Sequence, residues 1–253
     1  MDVVGIAVAV AVVLLDDGVG SESGTHERVH RDVVGAFDDG GDEVGVVGLA
    51  NGRALDRHSL DFLRPRYSEV PENAGAALLI EQVDGDIDYW AEHAPEDSWF
   101  AASDQDRERF RRFRHALPEL VNDNVRRAGV LKMNTDYAVP RARNREMLSR
   151  YRQALDAEFP GRYVIFGHIG DAHVHINLFS DPADPDHAIR VLTDLARAAV
   201  ALGGTVSAEH GLGKRKAHLL ELQYTPGQIA AMRAVKQRLD PSGILGRGTL
   251  WSA

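Results

Sequence analysis

Short runs of hydrophobic residues, some alternating strictly with polar ones, are spread along the chain and predict β-strands. The continuous run at 76–82 (AALLIEQ) and the β-branched and aromatic runs at 163–168 and 173–179 are typical of strands. Residues 131–140 (LKMNTDYAVP) are predicted to be extended. Residues 205–211 (TVSAEHG) are predicted to form a strand that enters a glycine-rich bend.

Segments with helical spacing and capping signals separate these strands. Ser103, Asp184 and Thr225 each stand at a predicted helix start as an N-cap residue. Pro118 is predicted to open a second helical piece. The predicted helices cover 52–64, 103–117, 118–127, 141–159, 184–202 and 225–239. A small number of strands among many helices predicts an α+β fold, in which helices cover an antiparallel sheet.

The first residues combine an apolar run, Val3 to Leu15, with a stretch rich in glycine and aspartate at 16–46. The run is too short to span a bilayer. Asp2 stands where a signal peptide carries basic residues. We therefore expect a buried strand or a short core helix, followed by loops, in a cytoplasmic protein.

Composition and charge exclude several kinds of partner and site. The net charge of -9 and a pI near 5.6 argue against nucleic acid or an anionic membrane as the main partner. The chain contains no cysteine, which excludes disulfides, thiol catalysis and cysteine metal sites. Any metal must therefore be bound by histidine, aspartate or glutamate.

The stretch VIFGHIGDAHVHINLF, residues 164–179, places three histidines and an asparagine among strand-forming residues. Glycine and aspartate in the middle predict a hairpin. With Asp171 and Ala172 at the loop centre, His168 would face His175, close enough to share a metal ion. Alternation puts His173, His175 and Asn177 on one face and apolar residues on the other. Taken alone, the pattern also fits surface histidines on an edge hairpin.

A second motif, GGTVSAEHGLGKRK at 203–216, contains adjacent Glu209 and His210 followed by two glycines. Neighbouring residues of a regular strand point to opposite faces, so the backbone must bend if both are to share a site. Glycines permit such a bend. From the residues alone, the pair is equally consistent with a functional site and with a salt-bridged turn.

Together the two motifs closely resemble the C-terminal domain of the FAD-linked oxidases. That family includes D-lactate dehydrogenase, the glycolate oxidase flavin subunit and D-2-hydroxyglutarate dehydrogenase. MRAVKQRLDPSGIL, and the earlier segments ALDRHSLDFLR, AALLIEQ, FRHALPE and LKMNTDYAVP, resemble the same domain in the same order. The resemblance covers residues 47–253, with 1–46 as a poorly matched N-terminal segment, and it implies a sheet domain of ferredoxin-like type.

The resemblance implies a divalent metal, zinc or manganese, bound by His168, His175 and Glu209, with His210 as the catalytic base. Two histidines and a glutamate leave an open coordination position, which a 2-hydroxy acid could fill through its oxygens. His210 would take the hydroxyl proton, and hydride would pass from C2 to FAD.

Arg114 and Lys132 match family positions that bind substrate carboxylates, and Asn177 could hydrogen-bond the substrate from the metal face. For Arg114 and Lys132 an ordinary surface cation is the alternative. The chain departs from the family at Ala172-His173, where many members have Gly-Asn, and we expect His173 beside the metal rather than on it. Gly246 and Arg247 also replace groups that the family places beside the flavin.

No glycine-rich pyrophosphate loop occurs in the sequence, and the acidic segment DDGGDEVGVVG is unsuited to one. We expect FAD to be held mainly by a missing or separate domain, such as another chain. Two hypotheses follow. One is the substrate- and metal-binding part of an FAD-dependent 2-hydroxyacid dehydrogenase. The other is a non-catalytic metal- or carboxylate-binding module that works without flavin.

Overall fold

The computed structural model describes residues 8–16, 52–83 and 96–251, together with Asp88 and Glu92. The strands are β1 (Val8–Asp16), β2 (Arg53–Asp56), β3 (Ala74–Val83), β4 (Trp99–Phe100), β5 (Leu131–Asn134), β6 (Tyr163–His168) and β7 (His173–Ser180). The α-helices with bounds in this part of the chain are α1 (Arg57–Leu63), α2 (Asp104–Ala128), α3 (Asn144–Glu158), α4 (Pro185–Ala201), α5 (Leu220–Gln223) and α6 (Pro226–Leu239).

The strands form a seven-stranded sheet in the order β4-β1-β3-β2-β6-β7-β5. Each neighbouring pair is antiparallel. The predicted α+β class, an antiparallel sheet covered by helices, is confirmed. β6 and β7 form a hairpin, whereas β5 reaches the outer side of β7 after the long helix α2.

Helices pack on both faces of the sheet and enclose two hydrophobic cores. The first core contains Ile165, Ile176 and Leu178 with side chains of α3 and α4, and the second contains Val164 and Phe179 with side chains of α1 and α2. Because neighbouring residues in a strand point to opposite faces, β6 and β7 contribute to both cores.

Two helix predictions are corrected by the structure. Residues 52–64 were expected to form one helix, but Arg53–Asp56 is strand β2 and the helix begins at Arg57. The Asp56 carboxylate accepts the Ser59 N–H at 2.8 Å, which caps that helix. Pro118 does not separate two pieces, because α2 continues through it as one helix.

Most of the remaining element predictions are confirmed, and one strand prediction is wrong. The strand at 76–82, the extended segment 131–140 and the helices at 141–159, 184–202 and 225–239 are confirmed, including the capping box at Thr225. Residues 205–211 are not a strand and make only an isolated bridge, Ala138 with Thr205. The apolar N-terminal run contributes strand β1. The loops expected at 16–46 lie almost entirely outside the described residues. Among the described residues, no helix is both long and apolar enough to cross a bilayer.

Candidate metal centre

The hairpin of β6 and β7 carries three imidazoles, but its register differs from the predicted one. His168 pairs with His173, and Phe166 pairs with His175. The turn is a 3-10 segment, Ile169–Asp171, closed by Ala172 in a left-handed conformation with φ 50. The loop centre therefore lies one residue earlier than expected, and the predicted pairing of His168 with His175 is wrong.

The imidazoles nevertheless gather on one face of the sheet. His168 and His175 are diagonal neighbours with ring centroids 6.5 Å apart, and His173 lies 4.5 Å from His175. Gly167 permits the close approach of the strands here. Its φ is +149, and an added Cβ would lie 2.9 Å from the Cα of Val174. The same face continues into the second core at Phe179, so the polar patch is one end of an otherwise apolar surface.

Residues 205–213, which we call the corner, bring Glu209 to the hairpin. Gly211 and Gly213 both have positive φ, 71 and 58, so the chain turns sharply there. Thr205 exchanges backbone hydrogen bonds with Ala138, at 2.8 and 3.2 Å. The segment at 135–139 also bonds to β7 through Thr135 N–H and the carbonyl of Ile176. It therefore connects the hairpin with the corner.

The buried carboxylate of Asp136, on that connecting segment, holds the corner in place. Its Oδ2 accepts the Ser207 hydroxyl at 2.8 Å, the His210 N–H at 2.8 Å and the Glu209 N–H at 3.1 Å. Its Oδ1 lies 3.0 Å from Nε2 of His173. One carboxylate thus fixes the backbone of both corner residues and the ring of a hairpin histidine.

The predicted ligands His168, His175 and Glu209 are brought together. Glu209 Oε1 lies 3.5 Å from His168 Nε2, and Glu209 Oε2 lies 3.8 Å from His175 Nε2. One ligand atom from each residue lies within 4.8 Å of the others. Two imidazole nitrogens and a carboxylate are suitable donors for a divalent metal such as zinc.

Two other groups of potential ligands overlap with this one, namely Asp136 with His175 and His210, and Asp136 with His173 and Glu209. Both require Asp136, whose oxygens already accept several hydrogen bonds. His173 is itself directed at Asp136 through Nε2. The arrangement therefore favours His168, His175 and Glu209 as ligands, with Asp136 and His173 in support.

Electrostatics favour the neutral forms of His168 and His175. Burial lowers the pKa of His168 below its ordinary value, and the positive charge of Arg53 lowers it further. Burial also lowers the pKa of His175, aided by the neighbouring His173. For Asp136, burial alone would raise the pKa, but hydrogen bonds from His210, Ser207 and Glu209 hold it below the ordinary value.

The other predicted site residues lie at different distances from this cluster. The His210 ring is 5.1 Å from that of His175 and its side chain is 55% exposed. Asn177 is buried two positions along β7 from His175. Arg114, on α2, has its Nη2 2.9 Å from Nε2 of His115. Lys132 donates to Asn122 at 2.5 Å and pairs with Phe179 across the strands, so it does not touch the cluster.

Asp136 was not predicted as a site residue. Its signal in the sequence is weak, because it is a single carboxylate within LKMNTDYAVP, a segment read only as extended. A carboxylate that becomes fully buried needs several hydrogen-bond donors. Here the donors come from residues 173–210, far along the chain, and no local pattern identifies them.

Comparisons with known proteins identify the family to which the chain is similar. The family described as "FAD linked oxidases, C-terminal domain" matches residues 47–250. A D-lactate dehydrogenase of Anaerostipes hadrus is 30% identical over 217 residues, 83% of this chain and 40% of that protein. The glycolate oxidase subunit GlcD of Bacillus subtilis is 32% identical over 120 residues, 46% of this chain and 25% of that protein.

Solved structures give a similar result for the fold. The 4-ethylphenol oxidase from Gulosibacter chungangensis, in an isoeugenol complex, superposes with a TM-score of 0.57 at 16% identity. The match covers 97% of this chain and 54% of that one. At this identity the likeness concerns the fold alone. The chain spans at most 40% of the length of these two curated relatives.

Proposed function

The chain belongs to the family of C-terminal domains of FAD-linked oxidases, and on that premise we propose that it is the substrate- and metal-binding part of an FAD-dependent 2-hydroxyacid dehydrogenase. The convergence of His168, His175 and Glu209, with His210 next to Glu209, is the observation that carries the proposal. D-lactate, glycolate and D-2-hydroxyglutarate name the type of substrate, since relatives carry those names.

The three proposed ligands suit a zinc or manganese ion in both chemistry and spacing. The lowered pKa values of His168 and His175 favour the neutral imidazoles that coordinate metal. A bound cation would supply a Lewis acid for the hydroxyl of the acid, and bound FAD would accept the hydride from C2. The protein itself must then orient the acid and remove one proton.

His210 is the residue we propose for proton removal. Its ring is more than half exposed and lies beside His175, on the open side of the cluster. Its backbone N–H donates to Asp136 at 2.8 Å, which holds in place the main chain from which the ring projects. The neutral imidazole takes the hydroxyl proton as the C2 hydride departs, which leaves a 2-oxo acid and an imidazolium.

Arg114, Lys132 and Asn177 are the residues proposed to bind the acid. Asn177 lies on β7, which carries two of the histidines, and Arg114 lies on α2, which packs against the same face of the sheet at the second core. The guanidinium of Arg114 can receive a carboxylate in bidentate fashion. Lys132 keeps its proposed role on the family resemblance alone, since its ammonium group is held by Asn122.

A flavin-binding part, on the same polypeptide or on a separate chain, completes the proposed enzyme. The side of the histidine cluster where His210 and Glu209 are exposed is the side open to such a part. A cytoplasmic location also remains our prediction.

Metal and ligand titrations test the proposal. The purified chain, stripped with a chelator, should bind one Zn²⁺ or Mn²⁺ in calorimetry. D-lactate should then bind the metal-loaded chain and fail to bind the stripped one. A chain that binds no metal, or binds D-lactate equally well without metal, contradicts the proposal. A metal-loaded chain that binds no 2-hydroxy acid supports the alternative, a metal-binding module.

The role of His210 has its own test. When a flavin-binding partner is present, D-lactate should bleach the flavin absorbance. His210→Asn should slow that bleaching by roughly 100- to 10,000-fold while leaving metal affinity unchanged, because a positioned base contributes about that factor. Unchanged bleaching would exclude His210 as the base.

A further inference from the structure

Arg53 lies beside the histidine cluster although no motif points to it. The register of β2 and β6 pairs Ala54 with Gly167, and its continuation places Arg53 opposite His168. Across the other edge of β2, Arg53 pairs with Leu79, a residue of the second core. Residues paired across strands share a face, so the Arg53 side chain lies on the face of the sheet that carries the histidines.

Arg53 and Arg114 border the same cavity, of about 320 Å³, between α2 and strands β2 and β3. Burial lowers the pKa of Arg114, and the charge of Arg53 lowers it further, as that charge does for His168. Arg53 is therefore close to both groups. It is a neighbour of His168 in the metal cluster and also of Arg114, the predicted carboxylate-binding arginine.

The charges of this cavity are unevenly compensated. Arg107 and Arg111 also line it, but each forms an ion pair on its own helix, with Asp104 and Glu108. Neither Arg53 nor Arg114 forms an ion pair within the described residues, and the buried Nε of Arg53 has no hydrogen-bond partner there. Glu81 also lines the cavity. The two unpaired arginines and this glutamate together give the cavity one net positive charge.

We infer that Arg53 and Arg114 together bind a second anionic group of the substrate, so the preferred acids are 2-hydroxy dicarboxylates. The inference rests on the proposed function and names the substrate class of the same site. An acid held at the cluster by its hydroxyl and C1 carboxylate extends its far end across β2, toward Arg53. A guanidinium that has no ion-pair partner gains most from a carboxylate, because the charge-assisted hydrogen bond forms without breaking an existing pair.

Calorimetry with two acids tests this inference. The Zn²⁺-loaded chain is titrated with D-2-hydroxyglutarate and with D-lactate; the first has the second carboxylate, on one additional methylene group, and the second lacks it. We expect D-2-hydroxyglutarate to bind at least about 10-fold more tightly, since one charge-assisted pair is worth about that factor. Arg53→Gln should remove most of this preference and leave D-lactate binding within about 2-fold of the unmodified protein.

The matched control is Arg111→Gln, which removes an arginine of the same cavity that is already paired with Glu108. It should leave the preference intact. Arg53→Lys, which keeps the charge, should restore part of the preference and guards against a loss caused by misfolding. Thermal melts of each variant provide the folding check.

The outcomes separate this inference from the proposed function. D-lactate and D-2-hydroxyglutarate binding with equal affinity would overturn the inference and leave the proposed function standing. A preference that survives Arg53→Gln would overturn it too. If neither acid binds the metal-loaded chain, the proposed function and the inference fail together.

Discussion

The two parts of the candidate site, the β6–β7 hairpin and the corner at 205–213, are positioned in different ways. The hairpin histidines stand on strands whose opposite face lies in the first core, where Ile176 and Leu178 are fully buried. Glu209 and His210 stand on an irregular segment and are about half exposed. Their position depends chiefly on hydrogen bonds to Asp136.

Packing therefore positions the hairpin residues, whereas polar contacts position Glu209 and His210. Strand alternation and core packing fix the hairpin side chains, so their geometry should survive the loss of any one polar group. The corner joins the first core only through Val206 and Leu212, on either side of the two site residues. It is therefore the part most sensitive to removal of a single buried carboxylate.

Removing a hairpin ligand should have the largest effect. His175→Ala or His168→Ala should lower Zn²⁺ affinity by more than about 100-fold, beyond what the loss of an outer-shell partner causes, because a direct ligand is missing. The hairpin itself should remain, since its strands are held by the cores. Calorimetric titration measures the affinity.

His187→Ala is the control for these ligand variants. His187 also pairs with a glutamate, Glu158, at 3.0 Å, but near the start of α4, where its ring packs against Phe159. Its removal should leave zinc affinity unchanged. Equal losses at His187 and His175 would show that zinc binds to scattered surface histidines rather than at the cluster.

Asp136→Asn should selectively loosen the corner. The amide can replace only one of the two oxygens that accept hydrogen bonds from Ser207, Glu209 and His210. We expect zinc affinity to fall by roughly 10- to 100-fold, as for other residues that orient a ligand. The hairpin ligands are untouched, so some binding should remain.

Asp240→Asn provides the matched control. Asp240 is a second buried carboxylate that accepts backbone N–H groups, from Ile244 at 3.0 Å and Leu245 at 2.9 Å, away from the site. Its replacement should reduce stability without changing zinc affinity. A similar affinity loss in both variants would mean that Asp136 acts only through overall stability.

The hairpin and the corner should also differ in their response to acid. His168 and His175 have lowered pKa values in the folded protein, so the unfolded chain takes up protons first as the pH falls below about 6.5. The free energy of unfolding is therefore unaffected by these two groups above that pH, and it decreases as the pH falls through their lowered folded pKa values. Asp136, whose pKa is lowered from its ordinary value, should keep its contribution to below about pH 4.

Denaturant unfolding of the metal-free protein from about pH 7.5 to about pH 5 tests this, with a limit of about 1.4 kcal/mol per pH unit for each proton. The double variant His168→Ala with His175→Ala should show a flatter profile over that range. In Asp136→Asn the free energy of unfolding should depend on pH over that range as it does in the unmodified protein. An unchanged profile in the double variant would exclude these histidines as its source.

The same contrast explains what could be predicted from the sequence. The alternation of His173, His175 and Asn177 with apolar residues is a local pattern, and the structure shows its two faces as expected. The hairpin register was missed because Ala172, not a glycine, takes the left-handed turn position. The corner was expected to be a strand because its residues favour one, yet its hydrogen bonds go to Asp136, and such a distant partner leaves no local signal.

Lys132 lies outside both the histidine cluster and the corner, and its substitution should have the smallest effect. It lies on β5 opposite Phe179, where the histidine face has already become the second core, and its ammonium group contacts Asn122. Exposed polar pairs of this kind contribute little, so Lys132→Gln should change D-2-hydroxyglutarate affinity of the metal-loaded chain by less than about 3-fold. Arg114→Gln, measured beside it with the same acid, should cost about 10-fold, because a charge-assisted contact with the second carboxylate is lost. A larger loss at Lys132 than at Arg114 would place the acid further along β7, over Asn177 and toward Phe179. It would thereby move the boundary between site and core that the hairpin now defines.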